Sequence, residues 1–210
     1  MKQFQKIPSG NGYAEYIEKK SKFISHVFYV ETAEEANEKL AELRKKYWDA
    51  THNCYAYVLD SDNVMRFSDD GEPQGTAGMP ILEVLKKQQV YCCLVVVTRY
   101  FGGTLLGAGG LVRAYGKAAA LGLENSGVSV LTPFYIVNAR MPYNFLDPVR
   151  NTFVHYDIVE ADVEYGADVA LKLQMPVEKF EAFKKHITEL TSANVVPEIE
   201  CEKLIPKKIQ

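Results

Sequence analysis

The apolar positions along the chain change period several times, and each change marks an element. Residues Gly12 to Lys20 and Lys22 to Val30 are rich in Tyr, Phe, Ile and Val around a polar break at Ser21, which predicts two strands or one strongly bent hairpin. Thr32 followed by Glu35 has the form of a capping box. Ala33, Ala36, Leu40, Leu43 and Tyr47 then recur at helical spacing, so a first helix is expected over Ala33 to Tyr47. Asn53 to Leu59 and Val64 to Phe67 read as short strands around the turn Asp60 to Asn63. Pro80 sits where a helix carrying Ile81, Leu82, Val84 and Leu85 begins. Val90 to Thr98 is the unbroken apolar run of a strand buried on both faces, and Leu111 to Leu123 is a small-residue helix ended by Asn125 to Gly127.

From Pro133 the pattern restarts. Phe134 to Met141 is a strand, and Asp147 and Pro148 are placed as N-cap and first residue of a helix to Tyr156. Ile158 to Tyr165 and Val169 to Met175 flank a turn at Gly166 to Asp168, Pro176 begins a helix with Val177, Phe180, Phe183, Ile187 and Leu190 on one face, and Val195 to Cys201 is a last strand. The order βαββαβ is the ferredoxin-like pattern. The expectation is a two-domain α+β protein, with one domain over 1–131, a second over 132–202, and a loose tail over 203–210.

Composition narrows the class. A chain of 210 residues, 47% hydrophobic and 24% charged, is a folded protein and not a disordered or fibrous one. No segment supplies the roughly 20 apolar residues of a membrane helix, and no apolar stretch follows the first lysines, which places the chain in the cytoplasm. Cys54, Cys92, Cys93 and Cys201 have no ligand spacing, so buried free thiols are expected. A net charge of −3 gives no global attraction to nucleic acid; any RNA contact has to come from a local patch.

Two loops invite chemistry. A strand-to-helix connection can be made in about two to six residues, yet the segment GGTLLGAGG collects Gly102, Gly103, Gly107, Gly109 and Gly110 between Arg99 and Arg113. Glycines let backbone N–H groups approach a ligand and a helix N-terminus adds about half a positive charge, so the segment can cradle a phosphate or carboxylate; it can equally serve tight turns and close packing. No GKS or GKT follows, which excludes a Walker-type ATPase. The loop from Arg66 to Pro80 gathers Asp69, Asp70 and Glu72 with His52 a short strand upstream. That set suits either metal ligation or acid–base work, or simply a capped, solvated turn. The pair Tyr100 and Phe101 reads either as a stacking platform or as packing.

The strings SKFISH, ATHNCYAY, RFSDDGEPQGTAGMP and VVVTRYFGGTLLGAGGLVRAYGKA, in this order and spacing, resemble the YigZ/IMPACT family over residues 15 to 130. The second half is similar to the ferredoxin-like domain that bacterial members append. The resemblance implies a first domain with the α+β sandwich of a ribosomal small-subunit protein domain. It also implies a site built from His52, Arg66, Asp69, Asp70, Glu72, Thr76, Arg99, Tyr100, Gly102, Gly103, Gly107, Gly110 and Arg113 in one surface cleft. It implies a non-enzymatic binding protein of translation or its regulation, with RNA, the ribosome or a translation-associated protein as partner and no catalytic residue, metal or cofactor. The alternative is an enzyme that holds a phosphate ligand in the same cleft with a divalent metal. Eukaryotic members bind the activator of a starvation-responsive kinase through an added amino-terminal domain, so that partner does not carry over.

Overall fold

The computed structural model describes residues 4–60 and 64–209. The turn expected at Asp60 to Asn63 lies, beyond its first residue, outside the described residues. The chain forms two units, one running to Leu131 together with Pro206–Gln210, the other Thr132–Ile205.

The first unit is built on an antiparallel sheet of β2 (Gly12–Glu18), β3 (Ser21–Tyr29), β4 (His52–Val58), β5 (Met65–Ser68) and β6 (Cys93–Tyr100), in the order β2-β3-β6-β4-β5. A short β1 (Lys6–Pro8), which no sequence pattern announced, pairs outside this sheet with the start of β7 (Val128–Met141). Strand alternation sorts the side chains of the central sheet. Phe23, Val27, Cys54, Ala56, Val95 and Val97 face α2 (Gly78–Gln88) and α3 (Ala108–Ser126). Val30, Tyr57, Leu94 and Val96 face α1 (Ala33–Lys46). β6 is buried on both faces, as its apolar run predicts. The capping expectation for α1 holds, with Thr32 Oγ1 accepting from the Glu35 amide at 3.1 Å. α2 starts at Gly78, two residues ahead of Pro80, because Asp69 supplies its cap from the preceding loop: Oδ1 accepts from the amides of Ala77 (3.0 Å) and Gly78 (2.8 Å).

In the second unit β7 continues against β9 (Val169–Pro176), β9 pairs with β8 (Val159–Tyr165), and β10 (Glu198–Lys208) lies on the other side of β7. The order β10-β7-β9-β8 with α6 (Phe180–Leu190) is the ferredoxin-like arrangement. Val137, Met141, Leu171, Leu173, Phe183 and Ile187 form its core. Three expectations change. Asp147 is inside a short α4 (Leu146–Arg150) and not its N-cap, since a 3-10 turn at Tyr143–Phe145 starts the helical segment earlier, and a separate α5 (Phe153–Tyr156) follows. The tail expected to be loose from 203 is strand as far as Lys208, and the Ile209 amide donates to Val128 O at 3.1 Å. Third, β7 starts six residues before Phe134, at Val128. Cys92 and Cys93 both sit in buried clusters, on different sides, and no cysteine is in a disulfide. Among the described residues no helix is long and apolar enough to cross a membrane.

Candidate functional site

The register of the first sheet brings chemistry together on the α3 side. Phe23, Arg99 and His52 are cross-strand neighbours on β3, β6 and β4, so their side chains share one face. Arg99 stacks over the Phe23 ring at 5.5 Å and over Phe101 at 5.6 Å. Its Nη1 donates to Glu72 Oε1 at 2.5 Å, and its Nη2 lies 3.4 Å from Ser21 Oγ. The Tyr115 hydroxyl, rising from α3, donates to the same Glu72 oxygen at 2.8 Å. Burial pushes that hydroxyl, and the thiol of neighbouring Cys54, far above their usual titration ranges, so both stay protonated. Glu72 and Arg99 are almost fully enclosed, with side-chain exposures of 3% and 6%.

His52 stands at the edge of this pair. Its Nδ1 is 2.8 Å from the Asp70 carbonyl oxygen, which can only accept; Nδ1 therefore carries the proton and Nε2 of the neutral ring keeps its lone pair. Nε2 lies 3.9 Å from Glu72 Oε1. His52, Glu72 and Arg99 form the polar end of a pocket of about 450 Å³ whose other wall is Phe101, Leu105 and Leu111. Gly107 and Ala108, at the start of α3, also line it. Gly107 has φ 71 and offers no side-chain cap, so the first amides of α3 are without intrahelical acceptors.

The single cleft expected from the sequence is thus two recesses. Arg113 is not beside Arg99. It lines a second recess of about 200 Å³ with Lys19, Lys117, Glu18, Tyr16 and Gly110, and Leu106 borders both. The helix explains the split: Tyr115 is buried against the sheet, and Arg113, two residues earlier, projects from the exposed side of α3. Arg99 is not an open phosphate fork either, because it is buried and its Nη1 is bound to Glu72. The alternative of a plain solvated turn at Asp-Asp-Gly-Glu-Pro also fails at Glu72, which is buried.

Other expected residues hold the site in place. Asp69 spends its carboxylate on three amides of the loop and helix start, the third being Gly75 at 2.8 Å. Asp70 accepts from the Asn53 amide at 2.7 Å and pairs with Arg44 at 3.0 Å. Thr76 donates to Pro73 O at 2.6 Å. Gly102 lies so close to the β2–β3 turn that an added Cβ would be 2.0 Å from the Lys20 carbonyl carbon, and its amide donates to Ser21 Oγ at 3.1 Å. Gly103, with φ 81, bends the loop between β6 and α3. Arg66 and Tyr100 lie on the opposite sheet face: Arg66 pairs with Tyr57, and Tyr100 donates to Asp49 at 2.8 Å. Ser21 and Tyr115 were not expected in the site. The one trace of Tyr115 is a large hydroxylated ring within a helix of small residues. Among the described residues no group of three or more His, Cys, Asp or Glu side chains is placed to hold a metal ion.

Residues 19–123 match the family model described as the Impact N-terminal domain, and residues 140–194 match one described as Domain of unknown function (DUF1949). The chain is 41% identical to IMPACT family member YvyE of Bacillus subtilis over 86% of this chain and 84% of that protein. It is 33% identical to IMPACT family member YigZ of Escherichia coli over 84% and 88%. The Protein IMPACT homolog of Dictyostelium discoideum is 43% identical over 43% of this chain and 27% of that protein. A crystal structure described as that of a hypothetical protein covers 98% of each chain with a TM-score of 0.60 and 30% identity.

Proposed function

The chain belongs to the IMPACT family, and from that premise we propose that it is a binding protein of translation or its regulation that grips single-stranded RNA with its first unit. One observation carries the reading: a basic recess and an amphipathic pocket lie side by side around Leu106. In the recess Lys19, Arg113 and Lys117 stand against one carboxylate, Glu18, which already accepts from Tyr16 at 2.6 Å. Arg113 and Lys117, four residues apart on α3, project together and suit a phosphate backbone. The neighbouring pocket offers the exposed Phe101 ring and apolar walls to an unstacked base. The chain as a whole is acidic, so the attraction is local and steep in salt.

Sedimentation of tagged protein from cell lysate tests this at low and high salt, beside an Arg113→Ala, Lys117→Ala variant. The reading expects salt-sensitive, ribonuclease-sensitive co-migration with ribosomal particles or other RNA that the variant loses. Co-migration that survives ribonuclease and the variant would point to a protein partner and overturn it. The buried Glu72–Arg99 pair does not favour phosphoryl transfer, because neither group is free to neutralise a transferred phosphate.

A further inference from the structure

The amphipathic pocket holds a hydrogen-bond donor that the described residues do not use. Arg99 is 5% exposed and lines the pocket. Its Nη1 is bound to Glu72 and its Nη2 lies by Ser21, while the buried Nε meets no acceptor among the described residues. A buried N–H without a partner calls for an acceptor. The start of the 19-residue α3 brings further donors to the same pocket, which Gly107 and Ala108 line. The first helical bond runs from the Leu111 amide to Gly107 O at 3.0 Å, so the amides of Ala108, Gly109 and Gly110 precede it without a capping side chain. The positive end of the helix dipole adds to them. Glu72 does not leave this end negative, because Arg99 and Tyr115 both donate to its Oε1 and the Arg99 charge balances its own. Of the two rings on the guanidinium, Phe23 is in the core, and half-exposed Phe101 covers it from the pocket at 5.6 Å. An entering ligand oxygen reaches Nε as that ring turns aside.

We propose that this pocket holds the phosphorylated end of an RNA strand. Donors from two elements, the α3 amides and Arg99 Nε, ask for an anion with several free oxygens. A terminal phosphate offers three such oxygens and a charge of about −1.5 to −2, more than a phosphodiester inside the strand. The terminal base also has a stacking neighbour on one side only, so it is the easiest to unstack against Phe101. Leu106 borders both the pocket and the recess of Lys19, Arg113 and Lys117, and the strand behind its end continues onto that basic side. His52 Nε2, an acceptor, suits a ribose hydroxyl of the same nucleotide. A pocket of about 450 Å³ has room for one nucleotide. This inference rests on the RNA reading and names the part of the strand that enters the pocket.

The test is titration of the intact protein with one short, internally labelled RNA that carries a 5′-phosphate, a 3′-phosphate or hydroxyls at both ends, followed by fluorescence anisotropy and by the amide NMR signals of Ala108 to Gly110. One of the phosphorylated strands is expected to bind about tenfold tighter or more than the unphosphorylated one, the size of one hydrogen bond to a charged group, and to shift those amides. Which end wins assigns the direction of the strand. Ala108→Asp places a carboxylate at the start of α3, where it favours the helix and repels phosphate; the melting temperature should hold and the preference should vanish. Arg99→Lys, which keeps the charge beside Glu72 and lacks the Nε–H, should reduce the preference several-fold, and Ala108→Asp decides if that variant does not fold. In a Lys19→Ala, Arg113→Ala, Lys117→Ala variant all three strands should weaken while their ratio persists. Equal affinities for the three strands, a preference that survives Ala108→Asp, or one that disappears with the basic recess would overturn the assignment. The two readings fail separately. Salt-dependent RNA binding that ignores the strand end removes this inference alone, whereas a protein that binds none of the strands, yet whose α3 amides shift with inorganic phosphate, loses the RNA reading and keeps an anion pocket.

Discussion

Arg99 Nη1 meets Glu72 Oε1 at 2.5 Å inside the first unit, and the two side chains join a loop to the central strand across 27 residues of sequence. Removing one partner leaves the other charge buried and unpaired, a loss of about 3–5 kcal/mol in stability. Arg99→Met should therefore be severely destabilising in chemical denaturation. Adding Glu72→Gln to it should restore part of the loss, because the amide still accepts from Tyr115 and no bare charge remains. A double variant less stable than Arg99→Met would contradict the pairing.

Asp69→Ala should cost about 1–2 kcal/mol or more, since one carboxylate caps the start of α2 and closes the loop at Gly75. Asp69→Asn should lose less, because its side-chain oxygen still accepts from the helix. Denaturation midpoints of the two variants compare directly; equal losses would mean that the negative charge and not the capping geometry matters.

Two adjacent glycines should respond differently to alanine. At Gly102 a methyl group meets the Lys20 backbone, so Gly102→Ala displaces the β2–β3 turn and should cost about 1–3 kcal/mol or more. At Gly103 there is open space and only the positive φ opposes substitution, for about 1–2 kcal/mol. Thermal melts of both rank them, and amide shifts of Lys19 to Ser21 should move only in the Gly102 variant.

His26 gives the first unit an acid-sensitive element. Burial, with a smaller contribution from Lys46, lowers its pKa from 6.5 to about 4, and Nε2 lies 2.9 Å from the Tyr47 hydroxyl. The unfolded chain then binds a proton that the folded chain does not. Stability from this group is complete above about pH 6.5 and is lost as pH falls toward 4. Melting temperature should drop over that window in the native protein and drop less in His26→Phe. Equal slopes would show that His26 is not the group responsible.

Much of the first unit was readable because local signals agree with the final structure: the capping pattern at Thr32 and the doubly buried run of β6. What local patterns do not carry is register between distant strands. Glu72 could be read as a solvated turn residue until β4 and β6 placed His52 opposite Arg99 and α3 brought Tyr115 over both. The short β1 and the strand through Lys208 were equally hidden, because their pairing partners lie far away in sequence and neither has strong alternation of its own.

The most direct test of the account is equilibrium titration of a fluorescent single-stranded RNA at several salt concentrations, with native protein and a Lys19→Ala, Arg113→Ala, Lys117→Ala variant. Three phosphate contacts release about two counterions on a single strand, so the native protein should show a log affinity against log salt slope at least about 2 steeper than the variant. Equal slopes and equal affinities would contradict a basic recess that holds RNA.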